Sequence, residues 1–359
     1  MTDPFEEQPE NRPAPASGPL GAPGPQSAPA ARGPGQLRPV YTPPAHRFLP
    51  PGWLKGAPVT VGLIGLNVCA YLVEIALSSW SLTPSLEASL LLGASYPLAT
   101  AHDGRVETLV TACFLHGSLV HLLFNMIALI QAGPIVERTV GSARTAPMYI
   151  VAGICGYALS VAYGLALHTQ MPSLGASGAI AGLVGAAGVV FWRIQGWKAQ
   201  GTQAMVRWLG LIIGFGVAMD IVGGVAVDNA AHVGGALSGA AIAMLWKRGA
   251  VYSKATTRGI VASCAGVVVL CFVLVGVRDR RDPFAAMLLP DRILFTKDAL
   301  DEARCDEAKA GLAAIERLKQ PVAGYSRLED QIEARCGAGP GPEGTPARGA
   351  PIEPLYAPK

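Results

Sequence analysis

Ser173–Trp192 reads SLGASGAIAGLVGAAGVVFW, twenty residues without a charge. An α-helix rises 1.5 Å per residue, so a run of this length spans the roughly 30 Å hydrocarbon core of a bilayer. Ser177, Ala181 and Gly185 recur every four residues and line one helical face. That face is nearly flat, which in lipid lets a neighbouring backbone come close. Ser177 stands at the start of the run between Gly175 and Gly178. Glycines there permit an unusual turn and leave room for an approaching chain.

A second run, Asn229–Trp246 (NAAHVGGALSGAAIAMLW), repeats the design. His232, Ala236 and Ala240 share a face, and Ala231, Gly235, Gly239 and Ala243 form a small-residue stripe beside it. A third polar cluster, HGSLVHLLFN at His116–Asn125, places His121 and Asn125 four apart on one face. Intramembrane polar residues are costly and mark function.

The 359 residues are 51% hydrophobic and 15% charged, too apolar for a soluble chain of this length. Apolar runs predict seven spans, at residues 58–77, 118–135, 146–167, 174–192, 208–227, 229–246 and 260–277. The three polar clusters then open the second, fourth and sixth spans, which run the same way. Their first turns share one membrane depth, bringing Ser177 and His232 within hydrogen-bonding reach.

Loops carrying Arg138 and Arg144; Arg193, Lys198 and Arg207; and Lys247, Arg248, Lys254 and Arg258 are expected on the cytoplasmic side, because basic residues resist translocation. That puts the N-terminus inside and, after seven crossings, the C-terminus outside. Arg278, Arg280 and Arg281, just after the last span, oppose this, tempered by Asp279 and Asp282. Residues 1–52 hold 14 of the 29 prolines and read as a disordered cytoplasmic arm. The net charge of +3 gives no reason to expect a nucleic-acid partner.

A serine beside a neutral histidine is the minimal nucleophile and general base. Imidazole takes the hydroxyl proton during attack on a carbonyl and returns it to the leaving amine. The Ser177 amide at a helix N-terminus, with the side chains of His121 and Asn125, can donate to a developing oxyanion. His116 reads as a loop anchor near the site. Taken singly, Ser177 fits a packing residue and His232 an interfacial histidine bonded to a carbonyl; the shared depth of the clusters favours chemistry. No metal is expected, because His116, His121 and Asn125 lack the Cys, Asp or Glu partners that zinc usually takes. No other cofactor is expected either. A transporter would call for internal repeats, and none is evident.

These residues resemble the rhomboid intramembrane serine proteases over about residues 53–246, through His116, His121 and Asn125, through Gly175–Gly178, and through Ala231–Gly235. Gly133, Glu137 and Gly141 look similar to the family as well. The resemblance implies a six-helix core with a seventh, C-terminal transmembrane helix, Ser177 as nucleophile and His232 as base. It also implies His121, Asn125 and the Ser177 amide as the oxyanion hole, with Gly175, Gly178 and His116 structural beside it. Substrates would be transmembrane proteins cut in or near the bilayer. The alternative is a catalytically silent rhomboid-like protein that binds transmembrane clients. The chain departs from the family pattern in two ways: Glu107 and Thr108 stand where many members have Trp-Arg, with Arg105 as a substitute, and Ala181 stands where many have an aromatic. Glu74 reads as close enough to the interface to snorkel, and Asp220 as a structural hydrogen-bonding group or as part of a movement of the fifth helix that admits substrate.

After the last span, residues 298–320 read as one helix and Ser326–Cys336 as a second, opened by a Ser326/Glu329 capping box. An antiparallel hairpin of the two sets Cys305 against Cys336, a predicted disulfide on an exported tail. The expected organisation is an arm at 1–52, a membrane domain at 53–278, a linker at 279–295, an extracytoplasmic helical hairpin at 296–337 and a disordered tail at 338–359. The expected setting is multi-pass, in a bacterial inner membrane.

Overall fold

The computed structural model describes residues 52–169, 171–222, 227–247, 251–320, 322 and 324–337, and its regular elements are all helical. The expected arm, apart from Gly52, and the expected tail lie outside the described residues, as do Arg248 and Pro321. In chain order the helices are α1 (Pro58–Leu77), three short ones, α2 (Leu86–Leu91), α3 (Pro97–Ala101) and α4 (Thr108–Thr111), then α5 (Leu119–Val140) and α6 (Ser142–Ala166). There follow α7 (Ser177–Gln195), α8 (Gln200–Val222), α9 (Asn229–Leu245), α10 (Lys254–Arg281), α11 (Leu289–Asp301), α12 (Cys305–Arg317) and α13 (Tyr325–Cys336). Among the described residues six helices, α1, α5, α6, α7, α8 and α10, are long and apolar enough to cross a membrane. The 17-residue α9, read from the sequence as a short sixth span, packs among them against α6, α7 and α8.

The helix ends follow local chemistry. α1 begins with Pro58, whose missing N–H costs nothing in the first turn. The buried Glu137 carboxylate accepts from the amides of Val59 (2.9 Å) and Thr60 (2.8 Å), so a negative charge meets the positive end of α1. α5 runs through Pro134 to Val140, beyond the expected end at 135, and stops at Gly141, whose φ of 85° suits a residue without Cβ. α8 starts at Gln200, earlier than the expected 208.

Burial ranks the helices. Two-thirds of the apolar window of α7 (67%) is buried, against 11% for α8 and for α10, so α7 is the axis and those two are peripheral. The α7–α9 contact is backbone against backbone. A Cβ added at Gly235 would lie 2.0 Å from the Gly178 carbonyl oxygen, and one at Gly239 would lie 2.0 Å from that of Gly182. The small-residue stripes read from the sequence are this interface.

The segment between α1 and α5 is held by its own short helices and by the C-terminal region. Arg105 is buried and bonds Asp279 (2.9 Å) and the Ala285 carbonyl, and Arg278 pairs with Glu107 (3.4 Å). Arg292 is fully buried and donates to Asp103 (2.5 Å), to the Phe284 carbonyl (2.9 Å) and to the Ala314 carbonyl (2.7 Å). Tyr96, Leu98, Leu115 and Leu318 share one apolar cluster across this junction. The C-terminal helices therefore sit on the same end of the bundle as the α1–α5 segment.

The single helix read over residues 298–320 is two. The chain turns at Ala303, with φ 56°, between α11 and α12, and α11 itself begins inside the stretch read as a linker. α13 begins at Tyr325 after a left-handed Gly324, and no side chain caps it, so the Ser326/Glu329 box does not form. A left-handed glycine reverses the chain within one residue, which carries Tyr325 into the helix and Ser326 past the capping position. α12 and α13 form a hairpin with Cys305 and Cys336 joined by a disulfide, their Cα atoms 5.4 Å apart. α11 packs on α12, and Ala299, Leu300, Ala308, Ile315, Leu328 and Ile332 make a small core of their own.

Candidate active site

Ser177 is the first residue of α7 and half-buried. Its Oγ lies 2.7 Å from Nε2 of His232, which sits one turn into α9 and is 5% exposed. The contact depends on the close backbone approach at Gly178 and Gly235, since serine is too short to bridge helices at ordinary separation.

Before the serine the chain passes through Gly175 at φ +133°, and a Cβ there would stand 2.8 Å from both Cε1 and Nε2 of His121. The His121 ring thus lies flush against the turn that presents Ser177. This turn is held from two sides: the Gly175 amide donates to the Ala112 carbonyl (2.9 Å), and the Tyr157 hydroxyl lies 2.8 Å from the Gly175 carbonyl and 3.2 Å from that of Ala112. An isolated antiparallel bridge, Ser95 with Ser173, ties the same segment to the α1–α5 loop.

Asn125 is buried and donates one amide hydrogen to the His121 carbonyl at 3.2 Å. An amide carries two such hydrogens, so the second remains to donate. The His116 ring is fully buried and meets His121 edge-on, ring centroids 5.0 Å apart. The structure therefore gathers Ser177, His232, His121, Asn125, His116, Gly175 and Gly178 at one end of α5, α7 and α9.

Glu74 does not reach the interface. It is fully buried, accepting from the Ser89 hydroxyl (2.9 Å) and the His116 amide (2.8 Å). Two polar partners waiting inside the fold outweigh the pull of water on a side chain one turn from a helix end. Asp220 is exposed, with Asn229 at 3.4 Å. Tyr157 and Asp228 also hold the site, and neither stood out in sequence: one is a tyrosine within an apolar run, the other lies in a loop.

Fold and site together define a polytopic helical membrane protein with a serine–histidine pair at one end of its bundle. Residues 103–249 match the Rhomboid domain model. The chain is similar to Rhomboid protease GluP of Bacillus subtilis, 36% identical over 139 residues covering 38% of this chain and 25% of that one. It is similar also to RHOMBOID-like protein 4 (34% over 132 residues; 36% and 32%) and RHOMBOID-like protein 7 (32% over 141 residues; 38% and 42%) of Arabidopsis thaliana. The chain thus spans less than half the length of these relatives. Residues 103–249 thus carry a Rhomboid domain.

Proposed function

We propose that this rhomboid protein is an intramembrane serine endopeptidase working through a Ser177–His232 dyad. The observation that carries the reading is the 2.7 Å contact between Ser177 Oγ and His232 Nε2. Nε2 accepts the hydroxyl proton as Oγ adds to the scissile carbonyl, and the protonated ring then donates to the leaving amine. Water, activated by the same ring, releases the acyl group from Ser177. Charge on the tetrahedral oxygen is met by the Ser177 amide, which as the first of its helix has no carbonyl of that helix to bond, and by the side chains of His121 and Asn125.

Substrates on this reading are transmembrane proteins, since the nucleophile is set among membrane-length helices and a bond in or near a spanning segment is what reaches it. The basic loops support a cytoplasmic N-terminus. The disulfide-closed C-terminal helices, on the same end of the bundle as Ser177, support an extracytoplasmic site and tail, because disulfides persist in oxidising compartments. A bacterial inner membrane is the setting we propose, with the arm at 1–52 on its inner side.

The test is labelling of the detergent-purified chain with a fluorophosphonate, together with hydrolysis of a single-span protein in proteoliposomes. Both should be lost in Ser177→Ala. A wild-type chain that is unlabelled, or a Ser177→Ala chain that still cleaves, overturns the reading; the first result, with client binding retained, favours a silent rhomboid-like protein.

A further inference from the structure

His232 is held by little of its own. No group among the described residues bonds its Nδ1, and Ala181, four residues after Ser177, is too small to stack on the ring. Where no side chain orients an imidazole, its direction is inherited from the backbone that carries it. For His232 that backbone is the first turn of α9, and one residue pins it.

Asp228 is the N-cap of α9: Oδ1 accepts from the Ala231 amide at 2.9 Å, and its carbonyl accepts from the His232 amide at 3.2 Å. Its other oxygen, Oδ2, accepts from two hydroxyls, Ser173 at 2.5 Å and Ser160. Ser173 lies four residues before Ser177 in the segment leading into α7, and Ser160 lies on α6. One carboxylate thus fastens together the helix of the base, the approach to the nucleophile and the helix α6 that packs against both α7 and α9. Hydroxyl bonds to an ionised carboxylate are short and about twice as strong as neutral ones, so the junction is stiff.

We propose that Asp228 is a positioning residue for the Ser177–His232 pair, setting the separation and angle of the two side chains by clamping Ala231, Ser173 and Ser160; the proposal rests on the proteolytic reading above. It touches neither reacting atom. Its effect is on geometry, and a displacement of about 1 Å in a reacting pair can cost a hundredfold in rate.

The measurement is the second-order rate of fluorophosphonate labelling at Ser177 in the full-length protein, with kcat and KM on a single-span substrate. Asp228→Ala should slow labelling about ten- to hundredfold and lower kcat in step, with KM within about twofold. Asp228→Asn keeps an acceptor for the Ala231 amide and should recover most of the rate. A second variant, Ser160→Ala with Ser173→Ala, leaves the cap intact and removes only the two hydroxyls. It should slow labelling while the cap and the fold are kept, so the proposal is testable even where Asp228→Ala fails to fold. Wild-type labelling lost in Ser177→Ala is the control that secures the protease reading. With that control met, an unchanged labelling rate in the double serine variant overturns the positioning role alone.

Discussion

Ser177 and His232 are 55 residues apart on different helices, yet their side chains meet at 2.7 Å because a glycine sits opposite a glycine at the crossing of α7 and α9. The contact is a product of what is missing from the interface as much as of the two polar groups. Removing either partner should leave the crossing itself unchanged. Ser177→Ala and His232→Ala are each expected to abolish labelling and cleavage while costing about 1 kcal/mol of stability, the worth of one hydrogen bond. A melting temperature lowered by more than about 4 °C would mean the pair is structural.

Bulk at the crossing should do the reverse. In Gly235→Ala the new methyl would stand 2.0 Å from the Gly178 carbonyl oxygen, so the helices must part. Overpacking of this kind costs about 1–3 kcal/mol, and labelling at Ser177 should fall with it. Gly266→Ala on α10, with nothing within 4 Å of its added Cβ, serves as the neutral control. Equal melting temperatures for the two variants would refute the close-approach account.

Oxyanion donors act on charge present only in the transition state. Asn125→Ala and His121→Ala should therefore each lower kcat by about a hundredfold with little change in KM. Steady-state kinetics on a membrane substrate checks this. If both variants keep the wild-type kcat, the oxyanion is held by other groups.

The C-terminal helices should be coupled to the α1–α5 segment through Arg292. This side chain has 0% exposure and pairs with Asp103, whose side chain is 9% exposed. Arg292→Met leaves that carboxylate with Arg317 at 3.6 Å in place of its 2.5 Å partner, and breaking a buried pair costs about 3–5 kcal/mol. Limited proteolysis should then cut between α10 and α11, a region expected to resist cleavage in the wild type. Unchanged protection and melting would show that the apolar cluster around Tyr96 and Leu318 suffices.

Loss of the Cys305–Cys336 bond is expected to destabilise α11–α13 by about 2–4 kcal/mol, since so small a core cannot hold itself firmly. Peptide mapping without reductant, with thiols blocked before lysis, reads the bond directly. Both cysteines recovered alkylated from the native protein would count against the bond and against an exported tail.

Six membrane-length helices and the polar clusters gathered at one end of them were legible in the chain because lipid makes polar side chains conspicuous and helical spacing makes faces countable. The same arithmetic placed Cys305 opposite Cys336. It did not foresee the break at Ala303, where a short turn interrupts a run of good helix formers and lets α11 pack back on α12. Nor did spacing separate Glu74, which reads as a snorkelling end residue, from the buried acceptor that meets the His116 amide 42 residues away.

What the sequence determined alone was the cast of the candidate site, since Ser177, His232, His121, Asn125 and His116 stand out as polar groups that apolar stretches carry only at a cost. What the tertiary structure decided was how that cast is held: Tyr157 on the Gly175 turn, Asp228 across three elements, and Arg292 on Asp103, 189 residues distant. The physical reason is range. Helical periodicity and lipid exclusion act within a span and leave a mark in local composition, whereas a buried hydrogen bond is fixed by which two backbones pack together.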